Sequence, residues 1–298
     1  MSLNIQIETK IPESPEACIK SEEIVKFIIK QKCRVIVSIE WDEKSRYNNK
    51  KRGPILGFDE VKFPLLIDNI FSRGKLIILK CVEKETRKDK YVVVHLGMSG
   101  GFTFGKENKE KHSNLWVNLE NDNRIYFTDP RKFGSCSIHD DLDAVYKKNG
   151  PCLMTAALLK HGKYLNRYTE HVADKELWNK ILCSDRLANK PICEFMMEQK
   201  YVSGIGNYLR AEILYHSKLH PDTKLCELEK DVRDNLYDCV LETMYSSWKT
   251  KGPSKGYIEG GCFKLHVYSR ERDHLGNDIY TYSDSKKRTV HYVPAVQL

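Results

Sequence analysis

The chain has 298 residues, of which 41% are hydrophobic, so it is long enough for two globular domains with cores of their own. No run of about 18 apolar residues occurs, so a membrane span is not expected. The first ten residues lack the apolar core of a secretory signal. The 49 basic and 41 acidic residues give a net charge of +8, a bias that suits a polyanionic partner such as nucleic acid without proving one.

The N-terminal half predicts one helix followed by strands. Residues 15–31 predict an amphipathic helix, because apolar side chains recur at helical spacing with charged side chains between them. From Cys33 to His139, short β-branched runs are separated by charged or glycine-containing turns, which predicts antiparallel strands in a sandwich or barrel. The runs are CRVIVSIEW, KLIILKCVE, KYVVVHLGM, LWVNLE and RIYFTD.

The C-terminal half predicts helices and then strands again. Residues 140–178 indicate a helical connector broken at Gly150-Pro151, and residues 175–251 indicate short amphipathic helices. Three strand-like runs follow: CFKLHVYS, DIYTYS and TVHYVPAV. The expected fold is α+β, with an N-terminal β-sandwich, flanking helices and a helical C-terminal domain. The expected segments are an extension (1–11), the sandwich domain (12–150), a connector (151–178), the helical domain (179–255) and a β appendage (256–298).

Five motifs in a fixed order carry a resemblance to the Fpg/Nei family, the formamidopyrimidine-DNA glycosylases and endonuclease VIII enzymes. They are PESPE (12–16), RGK (73–75), HLGMSG (95–100), DPRKFG (129–134) and SGIGNY (203–208), the last followed by Ala211-Glu212. The resemblance covers almost the whole chain. It implies a bifunctional DNA glycosylase and AP lyase of base excision repair, with a helix–two-turn–helix element in the helical domain.

The chemistry of such an enzyme needs an amine nucleophile, because an iminium adduct is an electron sink for the later elimination. An N-terminal amine has a pKa of about 7.7–8.0, so a useful fraction is neutral at working pH. The resemblance assigns the nucleophile to Pro12, proton transfer to Glu13 and assistance near the lesion phosphate to Lys75. The residues alone leave open a helix-start proline, a solvated helix-start carboxylate and an exposed strand-edge lysine.

A base in a duplex must be flipped out before it can be excised, and the hole that it leaves must be filled. The resemblance assigns the filling wedge to Met98, a contact to the orphaned base to Arg131 and stacking at the kinked step to Phe133. Core packing is the alternative for Met98 and Phe133. His95 resembles a phosphate contact, with a buried core histidine as the alternative.

The motif SGIGN resembles the helix–two-turn–helix turn, where backbone N–H groups and the Asn207 amide grip a DNA phosphate. The alternative is a glycine-rich turn without a ligand. Residues with a supporting role in this resemblance are Glu16, Gly204, Gly206 and Glu212.

The tail departs from the many relatives that carry a four-cysteine zinc finger. No cysteine follows Cys262, and no two of the ten cysteines are spaced as C-x-x-C. The run around Arg288 resembles the arginine-bearing hairpin of a zinc-less finger in some Nei relatives. We therefore expect residues 256–298 to form such a β-hairpin finger and Arg288 to contact DNA. His266, His274 and His291 lack cysteine or carboxylate spacing to match them as ligands. The sequence therefore predicts neither a metal ion nor an organic cofactor.

The substrate and the active form are also constrained. Family members specific for oxidised guanine carry a longer loop before the finger, which caps the flipped purine, whereas the run GPSKGYIEGGCFKLHVYSR here is short. The resemblance therefore implies a preference for oxidised pyrimidines and ring-opened or hydantoin lesions. Residues Met1 to Ile11 precede Pro12, so its nitrogen is an amide that cannot form an iminium. We expect the active chain to begin at Pro12, with Ile11 at the position of the initiator methionine in the family.

The expected partner is DNA with oxidised bases or abasic sites, and the expected protein is a monomer without membrane contact. Scattered cysteines indicate buried thiols in a reducing compartment, either the nucleus or the cytoplasm. Two other functions stay open at this point. One is a non-catalytic damaged-DNA-binding protein of the same fold, and the other is an RNA-binding module.

Overall fold

The computed structural model describes residues 12–42, 55–106, 111–163, 172–253 and 263–298. The described residues form two compact units. The first unit contains Pro12 and residues from 16 to 143, and the second contains residues 13–15 and residues from 144 onward. Among the described helices, none combines the length and the apolar character that a membrane span requires. The five-part division expected from the sequence stays a prediction.

Helix α1 spans Ser14–Gln31, which confirms the helix predicted over residues 15–31. Glu16 lies in its first turn and Lys30 in its last, which complements the helix dipole. Its apolar side buries Ile24 and Ile28 in the core of the first unit. The helix ends before Lys32, which has a positive φ of 52°.

Eight strands form one antiparallel sheet in the order β5-β7-β6-β1-β2-β3-β4-β8. Strand β1 pairs with β2 only through Val35 and Ile36, whereas its remaining length pairs with β6. This change of partner divides the strands into the two halves of a β-sandwich. The strands are β1 Val35–Trp41, β2 Leu65–Arg73, β3 Leu76–Glu83, β4 Asp89–His95, β5 Gly101–Gly105, β6 Ser113–Leu119, β7 Arg124–Thr128 and β8 Ser135–His139.

The core of the first unit explains why its strands have such apolar sequences. Residues Ile77, Val92 and Ile125 come from strands on both sides of the β1 junction and belong to one buried cluster with α1. Strands β3 and β4 carry nearly continuous apolar runs because most of their residues are buried. The five predicted strand runs are therefore confirmed, while β2, β5 and β8 were not among them.

The second unit is built around helix α7. This helix packs against α3, α4 and α6, and its buried face includes Leu236, Val240 and Met244. The helices are α2 Asp143–Lys148, α3 Leu153–Lys160, α4 Lys175–Leu182, α5 Ile192–Met196, α6 Asn207–His216 and α7 Lys230–Lys249. Strands β9 Tyr280–Ser283 and β10 Thr289–Tyr292 pair as an antiparallel hairpin, which confirms the predicted hairpin.

The first predicted strand of the tail, CFKLHVYS, is wrong for its described part. Residues 263–269 form no strand. The backbone N–H groups of His266, Val267 and Tyr268 instead donate to the carboxylate of Glu212 at 2.8, 2.9 and 2.9 Å. The segment has the alternating pattern of a strand, but three of its backbone N–H groups donate to a side chain instead of to a neighbouring strand.

Candidate functional site

Glu13 directly precedes helix α1 in the chain, but its fully buried carboxylate lies at the N-terminal end of helix α6. Its carboxylate accepts hydrogen bonds from three backbone N–H groups, those of Gly206 (2.7 Å), Tyr208 (3.0 Å) and Leu209 (3.3 Å). N–H groups at the start of a helix have no partner within it, and the helix dipole favours a negative charge there. The carboxylate therefore caps α6 from a residue almost two hundred positions earlier in the chain.

The residues around Glu13 differ in position. Pro12 is buried and directly precedes it, while Glu16 is half-buried in the first turn of α1. The predicted extension, residues 1–11, lies outside the described residues. Ser14 stands where the family has glycine, and its N–H donates to the carbonyl of Gly204 at 3.1 Å.

Gly204 occupies a position that admits no side chain. Its φ is 121°, and a Cβ there would come within 2.7 Å of the Cβ of Ser14. Both reasons require glycine, one from the backbone and one from the close approach of α1. Gly206 differs, because its φ of −125° is available to any residue. Its contribution to the site is the N–H that it donates to Glu13.

Asn207, the first residue of α6, is held by a buried arginine. Its Nδ2 donates to the carbonyl of Thr289 at 3.0 Å, and its Oδ1 accepts from Arg210 at 2.5 Å. Arg210 is 1% exposed and also donates to Asp284 and to the Thr289 carbonyl, both at 2.9 Å. We call Asn207, Arg210, Asp284 and Thr289 the Arg210 network. Sequence reasoning missed Arg210, although a charged residue inside the apolar run YLRAEIL was a signal.

Arg288 lies in the turn between β9 and β10 and is half-buried. Asp284 organises this turn, because its carboxylate accepts the N–H groups of Lys286 and Arg288 at 2.9 Å each. The guanidinium Nε of Arg288 lies 3.3 Å from the same carboxylate. Burial opposes ionisation of Asp284, but the Arg288 N–H and the Arg210 guanidinium lower its pKa below the usual value. A carboxylate thus holds the turn of this hairpin, which contains no cysteine.

Two loops of the first unit, residues 96–100 after β4 and residues 129–134 after β7, are joined by one buried aspartate. The carboxylate of Asp129 accepts the hydroxyl of Ser99 at 2.8 Å and the N–H of Gly134 at 2.6 Å. Gly97 has a φ of 66°, and a Cβ there would lie 2.5 Å from the Gly134 nitrogen. We call these segments the paired loops. Sequence reasoning missed Asp129, although it begins the motif DPRKFG.

The paired loops present three of the predicted DNA-binding side chains. Met98 is half-buried, Arg131 is exposed, and Phe133 is 55% exposed. The guanidinium carbon of Arg131 lies 5.4 Å from the centre of the Phe133 ring, a cation–π arrangement. Core packing therefore does not account for Phe133.

Lys75 and His95 lie at the same end of the sheet as the paired loops. Gly74 and Lys75 form the turn between β2 and β3, and the next residue, Leu76, pairs in register with His95. The Nδ1 of His95 accepts the N–H of Gly97 at 3.2 Å, so a neutral ring carries its proton on Nε2. Burial lowers the pKa of His95, and the charge of Lys75 lowers it further.

Two family profiles match the chain. That of the formamidopyrimidine-DNA glycosylase N-terminal domain matches residues 11–136, and that of its H2TH domain matches residues 167–256. The formamidopyrimidine-DNA glycosylase of Lactococcus lactis subsp. lactis is 30% identical over 305 residues, covering 96% of this chain and 99% of that protein. The Rickettsia felis enzyme of the same name is 29% identical over 278 residues, covering 90% of each.

The chain belongs to the formamidopyrimidine-DNA glycosylase family. Solved structures of this family share its fold. A complex of MutM with DNA containing carbocyclic 8-oxo-G superimposes with a TM-score of 0.74 at 26% identity, over 96% of this chain and 99% of that one. The Lactococcus lactis Fpg with DNA containing N7-benzyl-Fapy-dG gives a TM-score of 0.73 at 25% identity, with the same coverage.

Membership of the formamidopyrimidine-DNA glycosylase family confirms the resemblance found in the sequence. The motifs PESPE, RGK, HLGMSG and DPRKFG lie inside the first matched region, and SGIGNY lies inside the second. The endonuclease VIII-like assignment within the wider family stays a prediction.

Proposed function

We propose that the protein is a bifunctional DNA glycosylase and AP lyase of base excision repair, which removes oxidised bases through a covalent adduct on Pro12. The observation that carries the proposal is the environment of Glu13. Its carboxylate is fully buried and accepts hydrogen bonds from three N–H groups of the SGIGN turn and α6. Burying a carboxylate is costly unless hydrogen bonds compensate for the loss of water. This one directly follows the residue whose amine is the proposed nucleophile.

In the proposed reaction the Pro12 amine attacks the anomeric carbon of the damaged nucleotide, and the bond from that carbon to the base breaks. The amine loses its proton and the sugar ring opens, which leaves a charged iminium. Removal of a proton from the neighbouring sugar carbon then expels the 3′ phosphate, and a second elimination expels the 5′ phosphate. Glu13 protonates the sugar ring oxygen and takes part in the later proton transfers. Lys75 assists near the lesion phosphate.

The paired loops supply the proposed contacts within the duplex. Met98 fills the space of the flipped nucleotide, Arg131 hydrogen-bonds the orphaned base, and Phe133 stacks at the kinked step. The exposed ring of Phe133 and its cation–π contact with Arg131 support this assignment. His95, whose Nε2 carries the proton, donates to a phosphate.

The Arg210 network supplies the proposed phosphate contacts of the second unit. Asn207 contacts a phosphate through its side-chain amide, because three backbone N–H groups at the start of α6 already donate to Glu13. Arg288 contacts DNA from the hairpin turn. Both side chains are already positioned by hydrogen bonds or ion pairs inside the second unit. That arrangement lowers the entropy cost of ordering them on DNA.

Oxidised pyrimidines and hydantoins are the preferred substrates in this proposal, acted on by a monomer. The support is the shortness of the run that precedes the hairpin, of which residues 254–262 lie outside the described residues. Removal of these lesions would be compared with removal of oxidised guanine on matched duplexes. Faster removal of oxidised guanine would contradict the preference without affecting the glycosylase assignment.

Borohydride trapping tests the proposed nucleophile. A chain that begins at Pro12 and the 298-residue chain would each be incubated with abasic-site DNA and borohydride. We expect the shorter chain to form a trapped adduct that maps to Pro12, and the longer chain to form little or none, because its Pro12 nitrogen is an amide. An adduct on another residue, equally strong in both chains, would contradict Pro12 as the nucleophile.

The alternative, a non-catalytic damaged-DNA-binding protein of the same fold, is distinguished in the same assay. It predicts binding to lesion DNA without trapping or base release by either chain. A Lys75→Ala variant of the Pro12-first chain sharpens the test. We expect it to fold normally and to lose base excision by roughly 10²-fold or more, while near-normal excision would contradict the role of Lys75.

A further inference from the structure

A cluster of possible metal ligands lies on helix α6, at the end opposite the Arg210 network. Glu212 and His216 are four residues apart and share one face of the helix. His266, from the segment that precedes the hairpin, faces them. The ligand atoms of these three side chains all lie within 4.8 Å of one another. The ring of His274 lies 4.4 Å from that of His266 and adds a further imidazole beside the cluster.

Glu212 has one acceptor position left for a ligand. A carboxylate offers about four lone-pair positions. Its Oε1 accepts the N–H groups of Val267 and Tyr268, and its Oε2 accepts only that of His266. The side chain is fully buried, and no lysine or arginine of the described residues lies within ion-pair distance of it. A cation beside Oε2 would neutralise a charge that is otherwise compensated by three backbone N–H groups and, at longer range, by Arg270.

His266 carries a second unsatisfied group. Its Nδ1 is buried and has no hydrogen-bond partner among the described residues. An unsatisfied buried polar atom costs about 1–3 kcal/mol. A metal ion beside this nitrogen would give it a partner.

We propose that Glu212, His216 and His266 bind one divalent transition-metal ion. Two imidazole nitrogens and one carboxylate oxygen suit Zn²⁺, with water as the fourth ligand. Ligand atoms of a tetrahedral Zn²⁺ site lie about 3.3 Å apart. Binding would draw the three ligand atoms together from spacings of up to 4.8 Å, and His216, the exposed member, is the freest of the three to move. The sequence predicted no metal site and considered His266 only with His274 and His291, because Glu212 and His216 are far from it in the chain.

The proposed site would fasten the segment before the hairpin to α6. Its ligands are distinct from hairpin cysteines, which this chain lacks after Cys262. The bound ion would therefore stabilise a hairpin that offers no cysteine ligand of its own. This role is independent of the glycosylase chemistry and of the proposed nucleophile.

The test uses the full 298-residue chain without an affinity tag, freed of metal with a chelator. Titration with ZnCl2 would be followed by calorimetry, and the Co²⁺ form by visible absorption. We expect one Zn²⁺ per chain, a rise in melting temperature on binding, and a Co²⁺ spectrum without a thiolate charge-transfer band. The absence of that band separates this site from adventitious binding by the cysteines.

Two variants, His216→Asn and His266→Asn, remove one ligand each. Loss of a direct ligand should weaken Zn²⁺ binding by at least about tenfold, since even indirect support of a ligand is worth about 10–100-fold. His112→Asn is the matched control, because His112 is exposed, lies in the first unit and has a φ of 71° that asparagine tolerates. Absence of stoichiometric binding, unchanged affinity in both variants, or a thiolate band would each overturn the proposal.

Discussion

In the paired loops the side chains proposed to contact DNA are different from the groups that hold the loops together. In the Arg210 network, Asn207 is proposed to contact DNA and also forms hydrogen bonds that hold the network together. Phe133 is 55% exposed, while the buried Asp129 makes the connecting hydrogen bonds. In the network, Asn207 hydrogen-bonds both the 1%-exposed Arg210 and the hairpin carbonyl.

This difference shows at which residues a substitution can change function without changing stability. An exposed side chain of the paired loops can be removed without disturbing the Asp129 hydrogen bonds that hold the loops together. The side chain of Arg210 or of Asp284 cannot be removed in this way, because both are buried and removal of either leaves the other without its charged partner. The following predictions test this contrast.

The largest effect is expected for Arg210→Ala. The substitution leaves the buried Asp284 without its principal cation, and breaking a buried ion pair costs about 3–5 kcal/mol. The free energy of unfolding, measured by urea denaturation, should fall by that amount, and binding to abasic-site DNA should weaken with it.

The matched control for this prediction is Arg272→Ala. Arg272 forms an ion pair with Asp278 at 3.1 Å in the same unit, but the two side chains are 70% and 66% exposed. An exposed pair contributes about 0–1 kcal/mol. Equal destabilisation by both substitutions would show that the Arg210 network is no more than a surface feature.

Asp129→Asn should have an intermediate effect. The amide cannot accept from both Ser99 and Gly134 as the carboxylate does, so one buried donor loses its partner at a cost of about 1–3 kcal/mol. Excision from duplex DNA should fall because the two paired loops are no longer held in fixed positions relative to each other. Asp141→Asn, at an exposed aspartate that accepts a single N–H, should change stability by less than about 0.5 kcal/mol.

Phe133→Ala should change function without changing stability. An exposed side chain contributes within about 0.5 kcal/mol, but the loss of stacking should slow excision from duplex DNA more than from single strands. Phe127→Ala, at a ring 1% exposed on the adjoining strand β7, should instead cost about 3–5 kcal/mol. Equal slowing on both DNA substrates would argue against stacking within the duplex.

The smallest effect concerns mild acid. Burial is the main cause of a lowered pKa for three histidines of the second unit, which are His216, His266 and His291. In the first unit, burial lowers the pKa of His95 in the same way. A lowered pKa means that the unfolded chain binds more protons below about pH 6.5, so stability falls as the pH decreases through that range. Hydrogen exchange at pH 7 and pH 5, with a chelator present, should show greater loss of protection in residues 263–298 than in β3 and β4. The reverse order would contradict this assignment.

Much of the fold was predictable because it depends on local pattern. The helical spacing of residues 15–31 and the β-branched runs such as KYVVVHLGM record which faces are buried, and burial follows from residue type. The motif order identified the family for the same reason, since each motif is contiguous in the chain. The run CFKLHVYS failed because its N–H groups bind a side chain that no local pattern reveals.

The sequence by itself determined the element types, the family and the residues proposed for chemistry. Only the tertiary structure decided how those residues are held. Glu13 meets the N–H of Gly206 across 193 positions, and Arg210 meets Asp284 across 74. Such contacts join a side chain to a backbone group or charge from a distant segment, and propensity and periodicity act only over a few residues. The partner of a buried charge is therefore set by packing.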